Sequence, residues 1–153
     1  MSQIRLKPHG GLKQWEIIMV EFPFVDLVQK KLRPALIISN DAFNKISNSV
    51  VVVQITSNLF SGFREYNIPL SDSDVIRYEG TLLMYQSIIK PYIIFTVDKR
   101  LIRRRIGLLK PEKIKEVKES INEFFQLTKN SSLTLQGGLP KNLTTPPMQG
   151  ILR

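Results

Sequence analysis

The chain has 153 residues, with 22 Lys and Arg against 13 Asp and Glu, one His, no Cys and 42% hydrophobic residues. That length and apolar content suit one domain with a packed core and exclude a wholly disordered chain. The missing cysteines exclude disulfides, thiolate metal sites and a cysteine nucleophile, and fit a reducing, cytoplasmic setting; a single His excludes any two-histidine mechanism.

Residues 1–14 combine Pro8, Gly10 and Gly11 with polar residues and no period, and predict a flexible leader without the apolar stretch of a signal peptide. Trp15–Phe22 (WEIIMVEF) alternates and predicts a strand ended by Pro23. Phe24–Leu32 reads as a polar, basic loop. Ala35–Ser39 is a short apolar run closed by the turn formers Asn40 and Asp41. Val50–Thr56 is the most β-branched stretch of the chain, and its continuous apolar character predicts a strand buried on both faces. Ser57–Glu65 is a loop carrying Asn58 and Gly62. Tyr66–Leu70 is a short strand that Pro69 assigns to a sheet edge. Ser71–Gly80 is polar and turn-rich. Thr81–Tyr85 and Ser87–Val97 read as extended, the second interrupted at Pro91. Asp98–Leu109 mixes apolar and basic residues and fixes no single conformation.

Pro111–Leu127 is the clearest helix. Pro111 suits the first helical position, Glu112 favours the N-terminal end of the dipole, and Ile114, Val117, Ile121, Phe124 and Phe125 fall on one face. Residues 128–153 hold three Gly, three Pro and no acid or aromatic residue, the composition of a disordered tail. Five or six strands followed by one helix predict a mainly β domain over residues 15–127, built as a small barrel or strongly bent sheet with a C-terminal helix packed on it.

The excess positive charge is unevenly placed. All 13 acids lie between Glu16 and Glu123, whereas the two ends hold Arg5, Lys7, Lys13, Lys129, Lys141 and Arg153. Between them, Lys99, Arg100, Arg103, Arg104 and Arg105 put five cations in seven residues beside Asp98. Such a run is either a solvated face or a patch that tracks phosphates on RNA or DNA; no helix-turn-helix pattern supports DNA. The apolar runs fall far short of the ~20 residues that span a bilayer, so no membrane partner is expected. No glycine-rich phosphate loop, dinucleotide fingerprint, HExxH or GxSxG occurs, His9 lies in the leader, and no cofactor or metal is implied.

Three pieces remain. A basic loop runs into Arg33-Pro34 just before a strand (KKLRPALIIS). Thr56-Ser57 ends the most apolar strand (VVVVQITS). Ser87-Ile-Ile-Lys90-Pro91 leads through Phe95 and Thr96 to Asp98. In this order, between EIIMVEFPF and TVDKRLIRRRIGLL with its helix, they resemble the PemK/MazF family of toxin endoribonucleases, in its PemK-like branch, over about Glu16 to Leu127. The resemblance implies an SH3-like β-barrel with a C-terminal helix, a homodimer and a cognate antitoxin as partner. It also implies metal-independent cleavage of single-stranded RNA, including mRNA, at short motifs. It carries Arg33 and Thr56 over as catalytic residues and Ser57 as a neighbouring RNA contact, and Lys30, Lys31 and Lys90 add positive charge for the RNA.

The residue types fit that chemistry. RNA supplies its own 2′-hydroxyl nucleophile, so the protein has only to hold the phosphate, stabilise charge on its oxygens and assist two proton transfers. An Arg can grip a phosphate bidentately and a Thr can donate a hydrogen bond to it. The departures concern the proton carriers. Kid-like members have a Glu before the Arg-Pro pair and an Arg and an Asp two residues apart on the later strand. Here Val28-Gln29, Lys90 and Tyr92 stand at those places, Gln54 replaces a common Pro, and Asp26 offers a different loop carboxylate. The motif thus leaves the general acid and base open. A non-catalytic RNA- or antitoxin-binding module on the same fold is the alternative. Arg33 also fits an ion pair across the barrel, Thr56 and Ser57 a strand cap, and Phe60 or Phe63 a side chain that stacks on a base, while Trp15, Phe22, Phe95, Phe124 and Phe125 read most simply as core.

Overall fold

The computed structural model describes residues 10–22, 31–82 and 85–128. Its elements are β1 (Glu16–Phe22), β2 (Lys31–Ile37), α1 (Asp41–Ile46), β3 (Ser49–Thr56), β4 (Ile68–Leu70), β5 (Val75–Arg77), β6 (Ser87–Asp98), β7 (Ile102–Leu109) and α2 (Pro111–Phe125). The strands form one antiparallel sheet of seven in the order β4-β6-β3-β2-β1-β7-β5.

This sheet curls. Its edge strands β4 and β5 are separated in the chain only by residues 71–74, and Leu70 and Val75 enter the same core as Ile17, Leu36, Val53, Ile55 and Ile89. Helix α2 covers that concave core with Val117, which is wholly buried, while Ile114 and Ile121 flank it. The opposite face has its own core: Ile18, Val20, Ala35, Ile37, Val50, Val52 and Val97, with Leu12, Phe95 and Leu101 packed against it. The period of two explains the division, since Val50 and Val52 point one way along β3 and Val53 and Ile55 the other. The mainly β domain with a C-terminal helix is therefore as the sequence predicts, in the form of a strongly curled half-barrel.

Several boundaries differ. Lys31 and Leu32 begin β2 and do not belong to the preceding loop. Asn40 does not merely turn the chain; its side chain accepts the Phe43 N–H at 2.8 Å and starts α1. Within the turn-rich segment, Ser71 and Asp74 close a capping box, and the short strand β5 follows. Thr81, Leu82 and Tyr85 join no strand, because the polar Tyr78–Thr81 turn absorbs their start: Thr81 Oγ1 and N–H both donate to the Tyr78 carbonyl. Pro91 does not interrupt β6. Val53 pairs with Ile94 while the next residue, Gln54, pairs with Lys90, so residues 91–93 bulge without partners on β3 and the missing N–H of Pro91 is not needed. Asp98–Leu109 resolves into a 3-10 turn, Lys99–Leu101, and then β7. Of the leader, residues 10–14 are tied down: Gln14 N donates to Asp41 Oδ1 at 2.8 Å and Leu12 packs on the core. The expectations for residues 1–9 and 129–153 fall outside the described residues.

A buried ion pair fastens β1 to β7. Glu16 is fully buried, and Arg105 donates to both of its oxygens, the Nη2 contact measuring 3.0 Å. The backbone N–H of Lys13 adds a third donor at 3.0 Å, and the remaining Arg105 N–H groups reach the carbonyls of Gly10 and Gly11. The guanidinium lies 5.9 Å from the Tyr78 ring centroid. Burial, reinforced by the Glu16 charge, pushes the Tyr78 hydroxyl up to about 12. Gly107, beside this pair on β7, has no room for a side chain, as an added Cβ would sit 2.4 Å from the Ile76 carbonyl.

Two outcomes follow from this pair. Arg105→Ala leaves the Glu16 carboxylate buried and alone, and urea denaturation is expected to show a loss of about 3–5 kcal/mol. Tyr78 favours its neutral form in the fold, so its contribution is complete below pH 10 and declines as the pH rises from about 10 to 12, first ionising in the unfolded chain. Denaturation series across that window are expected to show a shallower decline for Tyr78→Phe than for wild type.

Candidate functional site

The strand register collects three distant parts of the sequence. Strands β2 and β3 pair Ala35 with Gln54, Leu36 with Val53 and Ile37 with Val52. Arg33 and Thr56 each lie two residues beyond Ala35–Gln54, the last pair of that ladder. On the other side of β3, Gln54 pairs with Lys90 and Thr56 with Ile88. Paired residues share a face and alternate residues return to it, so Arg33, Gln54, Thr56 and Lys90 sit on the face that carries Ala35, Val50 and Val52. Lys31, opposite Phe22, extends the same row by one repeat. With neighbouring strands about 4.8 Å apart, the apolar face ends in a polar and cationic patch one or two side chains wide.

Arg33 is the unusual member. Its Nε is buried and has no hydrogen-bond partner. Leaving a buried N–H unpaired costs about 1–3 kcal/mol, and more for a charged group, so native proteins rarely keep one without use. Among the described residues Arg33 forms no ion pair across the barrel, the structural alternative for this residue. Lys90 is also buried, 7% exposed, and makes no ion pair with a carboxylate among the described residues. Thr56 does cap its strand: its Oγ1 accepts the Asn58 N–H at 3.1 Å. Because the hydroxyl is the acceptor there, its own proton stays available to a ligand oxygen. Ser57 and Lys31 are exposed beside it. Lys30, Asp26, Val28 and Gln29 lie outside the described residues. No group of three or more His, Asp or Glu side chains that could hold a metal occurs among the described residues.

Tyr92 takes a role that sequence reasoning missed. Its hydroxyl accepts the Phe63 N–H at 2.8 Å and donates to Asn67 Oδ1 at 2.8 Å, while Asn67 Nδ2 donates to the Ser61 carbonyl at 2.9 Å. Its ring lies against Phe63, Tyr66 and Phe124. The hydroxyl is fully engaged in pinning the loop between β3 and β4, so it is not free for proton transfer. Gly62 lets the loop close over the pin. Its φ is +79°, and an added Cβ would lie 2.0 Å from Tyr92 Oη and 3.1 Å from Lys90 Nζ. The glycine and asparagines of that loop were the only signal in the sequence. Phe124 and Phe125 belong to this aromatic edge, partly exposed, and not to the core.

The basic run is not a free phosphate-tracking patch. Arg100 pairs with Asp98 at 2.9 Å, Arg103 with Glu21 at 2.6 Å and Arg105 with Glu16, while Lys99 donates to the Asn44 carbonyl. Only Arg104 of the five has no such partner among the described residues. The run's charge therefore serves mainly to join β1, α1 and β7. No helix among the described residues is long and apolar enough to cross a membrane.

Solved structures share this architecture. An endoribonuclease from a mycobacterial species, in complex with its cognate antitoxin, matches with a TM-score of 0.61 and 16% identity, over 78% of this chain and 99% of its own. A MazE–MazF complex from Deinococcus radiodurans matches at 0.59 and 14% identity, over 78% and 100%. The Mycobacterium tuberculosis toxin MazF-mt6 matches at 0.57 and 21% identity, over 74% and 99%. At such identities the likeness is one of fold. No curated protein matches the chain in sequence. The family model for the PemK-like, MazF-like toxin of type II toxin–antitoxin systems matches residues 13–125, from just before β1 to the end of α2. With the motifs, the half-barrel and this match in agreement, the chain belongs to the PemK-like, MazF-like toxins of type II toxin–antitoxin systems.

Proposed function

We propose that this chain is an endoribonuclease that cuts single-stranded RNA at short motifs without a metal, as the toxin of a pair whose cognate antitoxin restrains it. The orphaned, buried N–H of Arg33 beside the Thr56 hydroxyl carries the reading. Membership of the toxin family and the endoribonucleases among the structures that share the fold support it. Homodimerisation and action in the cytoplasm belong to the same reading.

In this reaction the 2′-oxygen forms a bond to phosphorus and the bond to the 5′-oxygen breaks. The products are a 2′,3′-cyclic phosphate and a 5′-hydroxyl. A proton leaves the 2′-oxygen and one arrives at the 5′-oxygen. Arg33 binds the scissile phosphate and stabilises charge that grows on its equatorial oxygens. Binding a phosphate also satisfies the Nε that the folded chain leaves unpaired. Thr56 donates its hydroxyl proton to a phosphate oxygen or holds the 2′-hydroxyl in line. Lys90 adds a second cation, as a point charge and not a planar fork. Ser57, Lys31 and Lys30 bind the flanking strand. Among the described residues the rows of this face hold no carboxylate, and the Tyr92 hydroxyl is engaged elsewhere. Positioning and electrostatics therefore carry most of the rate, and Asp26, ahead of Arg33, is the acid to substitute first in a search for the base.

The test is cleavage of a long single-stranded RNA in EDTA with both product ends mapped. Wild type is expected to give discrete cuts with 5′-hydroxyl and 2′,3′-cyclic phosphate ends. Arg33→Ala is expected to lose about 10²–10³-fold in kcat, as when an oxyanion-hole donor is removed, with the fold intact by circular dichroism. Thr56→Ser is expected to retain far more activity than Thr56→Ala. A folded Arg33→Ala variant that cuts at the wild-type rate removes Arg33 from the site. RNA that stays intact, yet is bound by wild type with a steep salt dependence, identifies a binding module without catalysis.

A further inference from the structure

We infer that Phe60 is a base-stacking residue: a locked loop holds its ring beside Thr56, where it takes the nucleobase neighbouring the phosphate bound at Arg33. The inference rests on the RNA site proposed above and adds its first contact to a base.

The loop between β3 and β4 exposes large apolar side chains, Phe60 at 80% and Phe63 at 67%. The two are not equivalent. The Phe63 ring packs edge-on against Tyr92 with centroids 5.4 Å apart. Phe60 has no ring partner among the described residues. An aromatic side chain left in water gains nothing for folding.

The backbone beneath Phe60 is nonetheless fixed, from both ends. Thr56 Oγ1 accepts the Asn58 N–H at 3.1 Å, and Asn58 Oδ1 accepts the Phe60 N–H at 3.3 Å. Ser61 Oγ then donates back to the Asn58 carbonyl at 3.2 Å. Beyond Ser61 the Tyr92 pin takes over, through Phe63, Asn67 and the close seat of Gly62. Ser120 on α2 anchors the Tyr66 carbonyl at 3.1 Å. The ring is thus presented in advance, which lowers the entropy lost on binding. Two hydrogen-bonded steps link its backbone to the same Thr56 hydroxyl that faces the phosphate.

Reach and charge point to a nucleic acid. Phe60 is four positions after Thr56, so their Cα atoms are at most ~14 Å apart, within the span of one or two nucleotides. Lys90 Nζ lies under Gly62 and Arg64 is exposed in the same loop. Beside the apolar Leu59, the loop around Phe60 carries the polar Ser57, Asn58 and Ser61. An exposed aromatic in a setting this cationic and polar suits a base with its phosphates better than an extended apolar protein surface. Single-stranded RNA offers unstacked bases to such a ring.

Tyr92 acts through Phe60 as a positioning residue. Removing its hydroxyl frees the loop, and any loss of RNA binding that follows should depend on the ring at position 60.

The experiment uses the full chain and two RNAs. One is the long single-stranded substrate with mapped ends. The other is a fluorescein-labelled, random-sequence 2′-O-methyl RNA, which cannot be cut because its 2′-oxygen is blocked. Phe60→Ala is expected to weaken binding of the uncuttable RNA by about 5- to 150-fold, the usual loss for one stacked base. It should raise KM on the substrate more than it lowers kcat. Phe60→Trp should restore both. Tyr92→Phe should weaken binding when Phe60 is present and add nothing in the Phe60→Ala background, whereas a merely structural loss would be the same in both.

If wild type binds RNA without cutting it and Phe60→Ala weakens binding, the nuclease reading falls and the stack stands. If wild type cuts and Phe60→Ala changes neither affinity, KM nor cut sites, the stack is overturned and the nuclease stands. A variant that keeps RNA affinity but loses an antitoxin-type acidic peptide also overturns it, and makes the loop a protein-docking arm. A wild type that binds neither RNA overturns both readings.

Discussion

Strand β3 has no face to give to water. Val50, Val52, Val53 and Ile55 are all buried, and the alternation of a strand sends them to opposite sides. Each side must then be covered, which one flat sheet cannot do. The fold answers on one side by curling until β4 and β5 meet in a common core under α2. On the other side it uses the adjoining strands, Leu12 of the leader and Leu101 of the turn before β7. The register that β3 shares with β2 and β6 is fixed by the same burial, because a slip of one residue would move all four side chains to the wrong side. That register also decides which polar residues come together where the apolar rows end.

Two arginines show how differently the fold treats its buried positive charge. Arg105 is partly buried and saturated: its donors meet the Glu16 carboxylate and two backbone carbonyls, and Tyr78 lies alongside. Arg33 is on the same sheet, two strands away, and its buried Nε meets nothing. The first arrangement holds strands together, and removing a member leaves an uncompensated charge. The second leaves a buried N–H unpaired, a standing penalty. Lys90 is likewise buried and has no carboxylate partner among the described residues. Among the described residues neither of these cations has a carboxylate partner, whereas three arginines of the conspicuous basic run are paired with Asp98, Glu21 and Glu16.

Tyr92 shows how one replacement alters the division of labour. At the place where the resemblance sets a carboxylate of Kid-like members, this chain has a phenol whose hydroxyl is bonded to Phe63 and Asn67. That phenol serves as a structural peg. The peg orders the loop that follows Thr56, and Gly62, Asn58 and Asn67 are the residues that let a chain of hydrogen bonds run from the peg to the site.

The residues alone determined much of this. The alternation in EIIMVEF, the β-branched run of β3, Pro69 at an edge and Pro111 opening a helix are local signals, since each reflects how one segment meets water or its own backbone. So does the order Arg33-Pro34, Thr56-Ser57, Lys90-Pro91, which carries the family. Other features were not legible. The short strand β5 is three residues inside a polar, turn-rich segment and exists because β7 pairs with it. Helix α1 is a six-residue element made by one Asn cap. Pro91 sits harmlessly in a long strand because β6 bulges there. The pairing of Arg103 and Arg105 with Glu21 and Glu16 joins residues more than 80 positions apart. Whether a cation is neutralised, and whether a hydroxyl is free, depends on partners from distant segments. Sequence therefore named Arg33, Thr56 and Lys90 as candidates, and only the tertiary structure decided that the Arg33 Nε is buried without a partner, that the Thr56 hydroxyl accepts from Asn58 and that the Tyr92 hydroxyl donates to Asn67.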